Sequence, residues 1–291
     1  YRLHNKLTTI ASIVRAQDLT YANDNNGDIN KIVDKSDIGT AKTANYTYDD
    51  LNRLTQAVIT NVAQGQSAYT HIYTYDAIGN ILTRTDAAGI YSYNGSTGES
   101  YANPHAVTSI GSVNYTYDKN GNLVSDSAWS HYYDSNNRLI QSDSGTARVI
   151  YAYDSTGQRV GVGNGETVTV YPTKYYNTDG STPVKHIFAN GILIAAVTGT
   201  GAAAAAATIL TDHLTGSSVV LDSTNKVIET MDYFPFGAIR LDSKPAGSTF
   251  SEQRKFIGQE YDADTGLNYL NARYYNSALG RFISQDPVSL Y

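Results

Sequence analysis

The chain has no cysteine, one methionine and one tryptophan among 291 residues. Without cysteine, neither a disulfide scaffold nor a thiolate metal site is available, although this says little about compartment. Charge is sparse as well. Charged residues make up 16%, and 21 basic against 27 acidic side chains leave a net charge of −6 with no basic stripe. Nucleic acid and anionic membrane surfaces are therefore not expected as partners. No long apolar run is present. The most apolar stretch, Ile192 to Leu210, is broken by glycine in GTGAAAAAATIL, which suits a short helix or a loop tip and not membrane insertion.

Familiar catalytic signatures are missing too. His4, His71, His105, His131, His186 and His213 are scattered and show no His-Glu-x-x-His spacing, and no Gly-x-Ser-x-Gly elbow occurs. Gly161-Val-Gly163-Asn-Gly165 opens no helix and reads as a loop. Asp262 and Asp264 read as parts of a turn, DADTG, and not as a glycosidase pair. DNNGD at 24–28 lacks the glycine and the later glutamate of an EF-hand loop, so a turn is expected there and not calcium. No cofactor and no metal is expected, and nothing points to an enzyme acting on a diffusible substrate.

What the chain has in excess is tyrosine, 25 residues against six phenylalanines. Many fall in one recurring tetrapeptide: Tyr46-Thr-Tyr48-Asp49, Tyr73-Thr-Tyr75-Asp76, Tyr115-Thr-Tyr117-Asp118 and Tyr151-Ala-Tyr153-Asp154. Looser copies end at Asp24 and Asp134, and a worn one is Tyr91-Ser-Tyr93-Asn94-Gly95. Self-similarity of this kind marks a repeat architecture. Tyr-x-Tyr puts two rings on one face of an extended segment, since side chains alternate with period 2. Asp then ends the strand by accepting N–H bonds two residues on. Three residues later stands Gly27, Gly79, Gly121 or Gly157, or else Asn52 or Asn137, residue types that tolerate the positive φ of a tight turn. Each repeat thus reads as strand, turn, strand. Hairpins are marginal alone, so neighbours must stack to share a buried face. The rings of Tyr46, Tyr73, Tyr115 and Tyr151 are expected to stack into ladders between repeats.

Residues 1–165 form this array, and 166–291 a second region. It begins with strand-like VTVYPTKYY, KHIFANGILIAAV and ATILTDH, passes the Pro235-stiffened turn of Asp232-Tyr-Phe-Pro-Phe-Gly237, and reaches its end through a polar linker from Leu241 to Ser251. The start, YRLHNKLTTI, lies within a pattern and lacks Met, so a piece of a longer polypeptide is expected.

The repeats resemble the tyrosine–aspartate (YD) repeats of Rhs proteins. DHLTGSSVVLD, DYFPFG, GQEYDADTGLNYLNARYYNSALGRF and ISQDP resemble the Rhs repeat-associated core. The resemblance covers nearly the whole chain. It implies an all-β fold: repeated antiparallel β-hairpins forming a coiled sheet strip, part of a hollow shell. In bacterial Rhs proteins and the C components of ABC toxin complexes the shell encloses a C-terminal toxin; in teneurins a related shell serves adhesion. The resemblance implies as partners the parent's own C-terminal cargo domain or neighbouring repeats, with a cell-surface or self partner as the alternative. It also implies a bacterial secreted or cell-surface location. Toxin-type members cut their own chain using aspartates near the core's end, usually within two Asp-Pro elements. Only Asp286-Pro287 is present here, which makes Asp286 and Arg281 the autoproteolysis candidates. The plainer reading has Arg281 neutralising a carboxylate and Asp286-Pro287 making a turn.

Overall fold

A computed structural model describes residues 3–11, 14–87 and 89–286. Among the described residues, strands follow one another in sequence order as antiparallel neighbours, with no crossover. A seven-stranded sheet runs from Asn5 to Arg84. A three-stranded one spans 91–114, joined to the first by a bridge between Thr83 and Ile90. A fourteen-stranded sheet runs from Thr116 to Ser243, and a separate four-stranded sheet occupies 260–282. Among the described residues the only helical pieces are single 3-10 turns at Gly201–Ala203 and Phe256–Gly258. The alanine run resolves into the first of these turns and the start of the strand Ala205–Thr211. Position 165 falls in the hairpin between the strands Arg159–Gly163 and Val168–Thr173, which pair within one sheet.

The turn chemistry repeats faithfully. Oδ1 of Asp49 accepts the N–H groups of Leu51 and Arg53, both at 3.0 Å; Oδ1 of Asp76 those of Ile78 and Asn80 at 3.0 and 2.8 Å. Asp118, Asp134, Asp154, Asp212 and Asp222 each bind the residues two and four positions on in the same way. Asp24 also caps its turn, binding Asn26, Gly27 and Asp28. The third residue after the aspartate takes positive φ, +90° at Gly79 and +58° at Asn137, where only glycine and asparagine are comfortable. Ahead of each turn the register slips by one residue, for example between Thr74 and Tyr75. This bulge sharpens the local twist.

The tyrosines behave otherwise than expected. Among the described residues no ring contacts join the Tyr-x-Tyr motifs of successive repeats. The ladder is made of hydroxyls. The second tyrosine of each motif donates to a carbonyl of the preceding hairpin: Tyr48 to Ile29 (2.9 Å), Tyr75 to Leu54 (2.6 Å), Tyr93 to Ile81 (2.8 Å), Tyr133 to Leu123 (3.0 Å) and Tyr153 to Leu139 (2.7 Å). Tyr117 reaches Val107 and Tyr233 reaches Ser217, both at 2.8 Å. Except at Val107, the acceptor is the fifth residue after the preceding turn aspartate or its Asp212 equivalent. A hydroxyl that would otherwise be stranded in a half-buried position is satisfied there. The first tyrosine packs inward instead: Tyr73 against Phe236 with centroids 5.2 Å apart, Tyr151 against Tyr274 at 5.0 Å.

Those contacts arise because the strip turns back on itself. Lys6 donates to the carbonyl of Asp212, 206 residues away, and Gln17 to that of Thr211 at 2.8 Å. Lys42 and Arg240 both pair with Asp232, and Phe234 lies 5.1 Å from the ring of Tyr69. His213 rests against Tyr21 at 5.6 Å, so its role is packing at this seam. Gly237 has φ +86°, and a Cβ there would lie 2.4 Å from the ring of Phe256, so this turn needs glycine. The supposed linker is in part strand, Ile239–Ser243, and its continuation returns inward to bury Glu252, which is 2% exposed.

Candidate functional site

The C-terminal sheet lies on the inward face of the strip. Leu267, Tyr269, Tyr274, Leu279 and Ile283 share one core with Ile81, Tyr91, Leu123, Leu139, Val149 and Tyr151. Polar contacts fix it in place. The N–H of Leu123 donates to the carbonyl of Ile283 at 2.8 Å, and Arg84 reaches the carbonyls of Ser277 and Ala278. At the centre, the Arg159 guanidinium holds both oxygens of Asp262 at 2.8 and 2.7 Å, and its side chain is 1% exposed. Tyr269, Tyr171 and Tyr274 surround it with ring centroids 4.4, 5.0 and 5.9 Å from Cζ. Burial pushes the Asp262 carboxyl up while Arg159 opposes the shift.

Asp262 therefore does more than form a turn. Its carbonyl accepts the N–H of Gly266 at 2.8 Å, as DADTG suggested, but its carboxylate anchors the end of the chain to the array. Sequence reasoning missed Arg159, which stands where the other repeats carry isoleucine or leucine two places past the turn glycine or asparagine. That anomaly was the available signal.

Asp286 and Arg281 line one hollow of about 570 Å³, together with His105, Tyr117, Arg273 and Tyr275. The arginine paired with Asp286 is Arg273, at 2.9 Å, whose guanidinium also lies 3.7 Å from the ring centroid of Phe282. Arg281 does not pair with a carboxylate among the described residues. It donates to the Asn80 amide oxygen at 3.0 Å, beside His105, and lies over the ring of Tyr93. The tip of the Asp118 hairpin reaches this hollow: a Cβ at Gly121 would meet the amide of Gln285 at 2.3 Å. The expected turn at Asp286-Pro287 includes Pro287, which lies outside the described residues.

One further constellation has the residue types of a catalytic triad. His131 Nδ1 is 2.9 Å from Ser142 Oγ, and its Nε2 is 3.8 Å from Asp126. Ser142 is 0% and His131 3% exposed, and 3.8 Å is too long for a hydrogen bond. Both side chains are sealed in the core, where Ser142 joins the His131 ring to the Tyr151 hydroxyl and His131 Nε2 is left without a hydrogen-bond partner among the described residues.

Known proteins share this architecture. A crystal structure described as TcdB2-TccC3-Cdc42 superposes with a TM-score of 0.76 at 21% identity, over 98% of this chain and 16% of that one. The tRNA3(Ser)-specific nuclease WapA of Bacillus spizizenii is 27% identical over 234 residues, 74% of this chain. Double-stranded DNA deaminase toxin A of Burkholderia cenocepacia is 24% identical over 262 residues, 75% of this chain. The chain spans 9% of the first of these relatives and 17% of the second. The family profile described as Teneurin YD-shell matches residues 14–291, taking in the repeats, the seam and the terminal sheet alike. With its hydroxyl ladder, stapled turns and self-contacting antiparallel strip, the chain belongs to the Teneurin YD-shell family, an Rhs/YD-repeat protein with the all-β shell fold.

Proposed function

We propose that this chain is a wall segment of a β-shell whose parent protein encloses or displays a C-terminal, toxin-like domain, in a bacterial protein that is secreted or held at the cell surface. The observation that carries the reading is the buried Arg159–Asp262 anchor. It holds the last sheet on the inward face of the strip and brings Asp286 to a hollow beside that sheet. A domain following Asp286 would begin its path inside. Relatives of the chain are named as a tRNA nuclease and a DNA deaminase toxin, which supports a toxin-like activity for the enclosed domain. Asp286, with Arg281 across the same hollow, is the candidate for intramolecular cleavage in the parent; an acid there would act on its own descending backbone and on no other protein. The division into an array at 1–165 and a core region at 166–291 is part of this reading.

The test is to express the parent with and without Asp286→Asn and run both on a denaturing gel, then probe the natively folded protein with protease. Two bands from the wild type, one from the variant, and a C-terminal domain resistant to protease are expected. A C-terminal domain digested as fast as in isolation overturns enclosure; unchanged cleavage in the variant removes Asp286 from the reaction.

A second reading, adhesion or self-association, draws on one row of the large sheet. Tyr132, Ile150 and Val168 are 50%, 47% and 46% exposed and align across strands through Gln141 and Gly163. Concentration-dependent sedimentation that disappears in Ile150→Lys would favour it.

A further inference from the structure

A hollow of about 470 Å³, remote in sequence from the Asp286 hollow, is charged in one sense only. Its apolar lining includes Val184, Ile228, Phe250 and the alanines at 205–207. Its carboxylates are Asp179, Asp222 and Glu252, and no lysine or arginine is among the described residues that line it. The volume is within the range of sites that hold small organic molecules.

Glu252 is the unusual member. The neighbouring carboxylates each have a cation: buried Glu229 has Lys255 at 3.3 Å and Lys244 at 3.7 Å, buried Glu260 has Arg254 at 2.7 Å, and exposed Asp242 has Lys255 at 2.8 Å. Glu252 is 2% exposed and has none. One of its oxygens accepts the N–H of Arg254 at 2.9 Å, and the other makes no hydrogen bond among the described residues. A carboxylate buried without a cation is costly, and a ligand that supplied the charge would recover that cost. A bare metal ion is a poor match: among the described residues no group of three His, Asp or Glu side chains could hold one. Seven of the eighteen lining residues are apolar, which calls for a cation with a hydrocarbon body.

We propose that this hollow binds an organic ammonium group, with the charge against Glu252 and the alkyl body against Phe250 and the alanines. Asp179 and Asp222 stand by as further acceptors that make the site negative. Both already use Oδ1 within their own turns. The ammonium is either that of a free small amine or the end of a lysine side chain on another polypeptide, and the same chemistry recognises both.

The experiment uses the full chain at fixed ionic strength, since rim carboxylates are screened by salt. Titrations followed by amide chemical shifts compare n-butylammonium, its neutral counterpart n-butanol, and Nα-acetyl-lysine methylamide. Butylammonium is expected to bind at least tenfold more tightly than butanol, with shifts centred on 205–207 and 250–252. Glu252→Gln, which keeps the acceptor for Arg254, should weaken it at least fivefold, and the exposed Asp179→Asn by a smaller factor without affecting folding. Tighter binding of the lysine derivative assigns the site to a peptide side chain; equal or weaker binding assigns it to a free amine. Equal binding of butylammonium and butanol, or butylammonium affinity unchanged in both variants, overturns the proposal.

Discussion

Single side chains join one hairpin to the next here, and the hydroxyl of the second motif tyrosine is the clearest case. Tyr75 is half-buried, its phenol pushed up to about 12 chiefly by burial, and its hydroxyl donates to Leu54 at 2.6 Å. Tyr75→Phe keeps the ring and strands that carbonyl, so a loss of about 1 kcal/mol is expected from urea unfolding. Tyr133→Phe should cost a similar amount, whereas Thr74, exposed on the opposite face, should tolerate valine with little change. No loss at either tyrosine would show that the carbonyls find other partners and that the rings alone matter. The motif itself was legible because its causes are local: alternation, an Asx-type turn and one positive φ lie within seven residues. The acceptor of the hydroxyl was not, since it lies in the previous hairpin at a distance that changes with each spacer.

Between elements, the decisive contact is the one from the strip to the terminal sheet. Arg159 and Asp262 are each nearly inaccessible, and removing one member of a buried pair leaves the other charged and unpaired. Arg159→Met is expected to cost about 3–5 kcal/mol. The damage should be concentrated in 260–283, read as faster amide exchange there than in the hairpins at 42–60. The double variant Arg159→Met with Asp262→Leu should recover much of that loss, because no lone charge remains. Equal exchange in both regions would mean that the sheet is held by its apolar contacts alone. Nothing in the sequence assigned a partner to Asp262. Turn chemistry explained its neighbours so well that a second role for its carboxylate had no local signal. The segment 241–251 reads as linker from its polar composition, and only its first three residues, 241–243, continue a strand; nothing local marks the next residue, Glu252, as buried.

At the scale of the whole molecule, several buried titrating groups act in opposite directions over the same pH range. The turn aspartates set the acid limit. Asp49, Asp154 and Asp222 are held low, by the Arg53 N–H for Asp49 and first by the threonine hydroxyls of their own turns for the others. Their contribution is present above the ordinary aspartate value and is lost as pH falls below about 4. Glu252 is pushed up to about 7 by burial, so the stability it lends is complete below about 4.5 and is lost as pH rises to about 7. His186 runs the other way. Burial drops it to about 4, so the unfolded chain takes up a proton first and stability is gained as pH rises from about 4 to 6.5. The two nearly offset, and a shallow profile between pH 4.5 and 6.5 is expected for the native chain in the absence of amines. Glu252→Gln removes the falling part and leaves the His186 part, so the stability of the variant relative to the native chain should climb steadily from pH 4.5 to 7. His186→Gln should tilt the relative profile the opposite way. Thermal unfolding across that range, with both variants referred to the native chain at each pH, reads the two slopes directly. A pH-independent difference for Glu252→Gln would mean that Glu252 keeps the same protonation in the folded and unfolded chain, and the buried, cation-free carboxyl would then have to be satisfied in some other way.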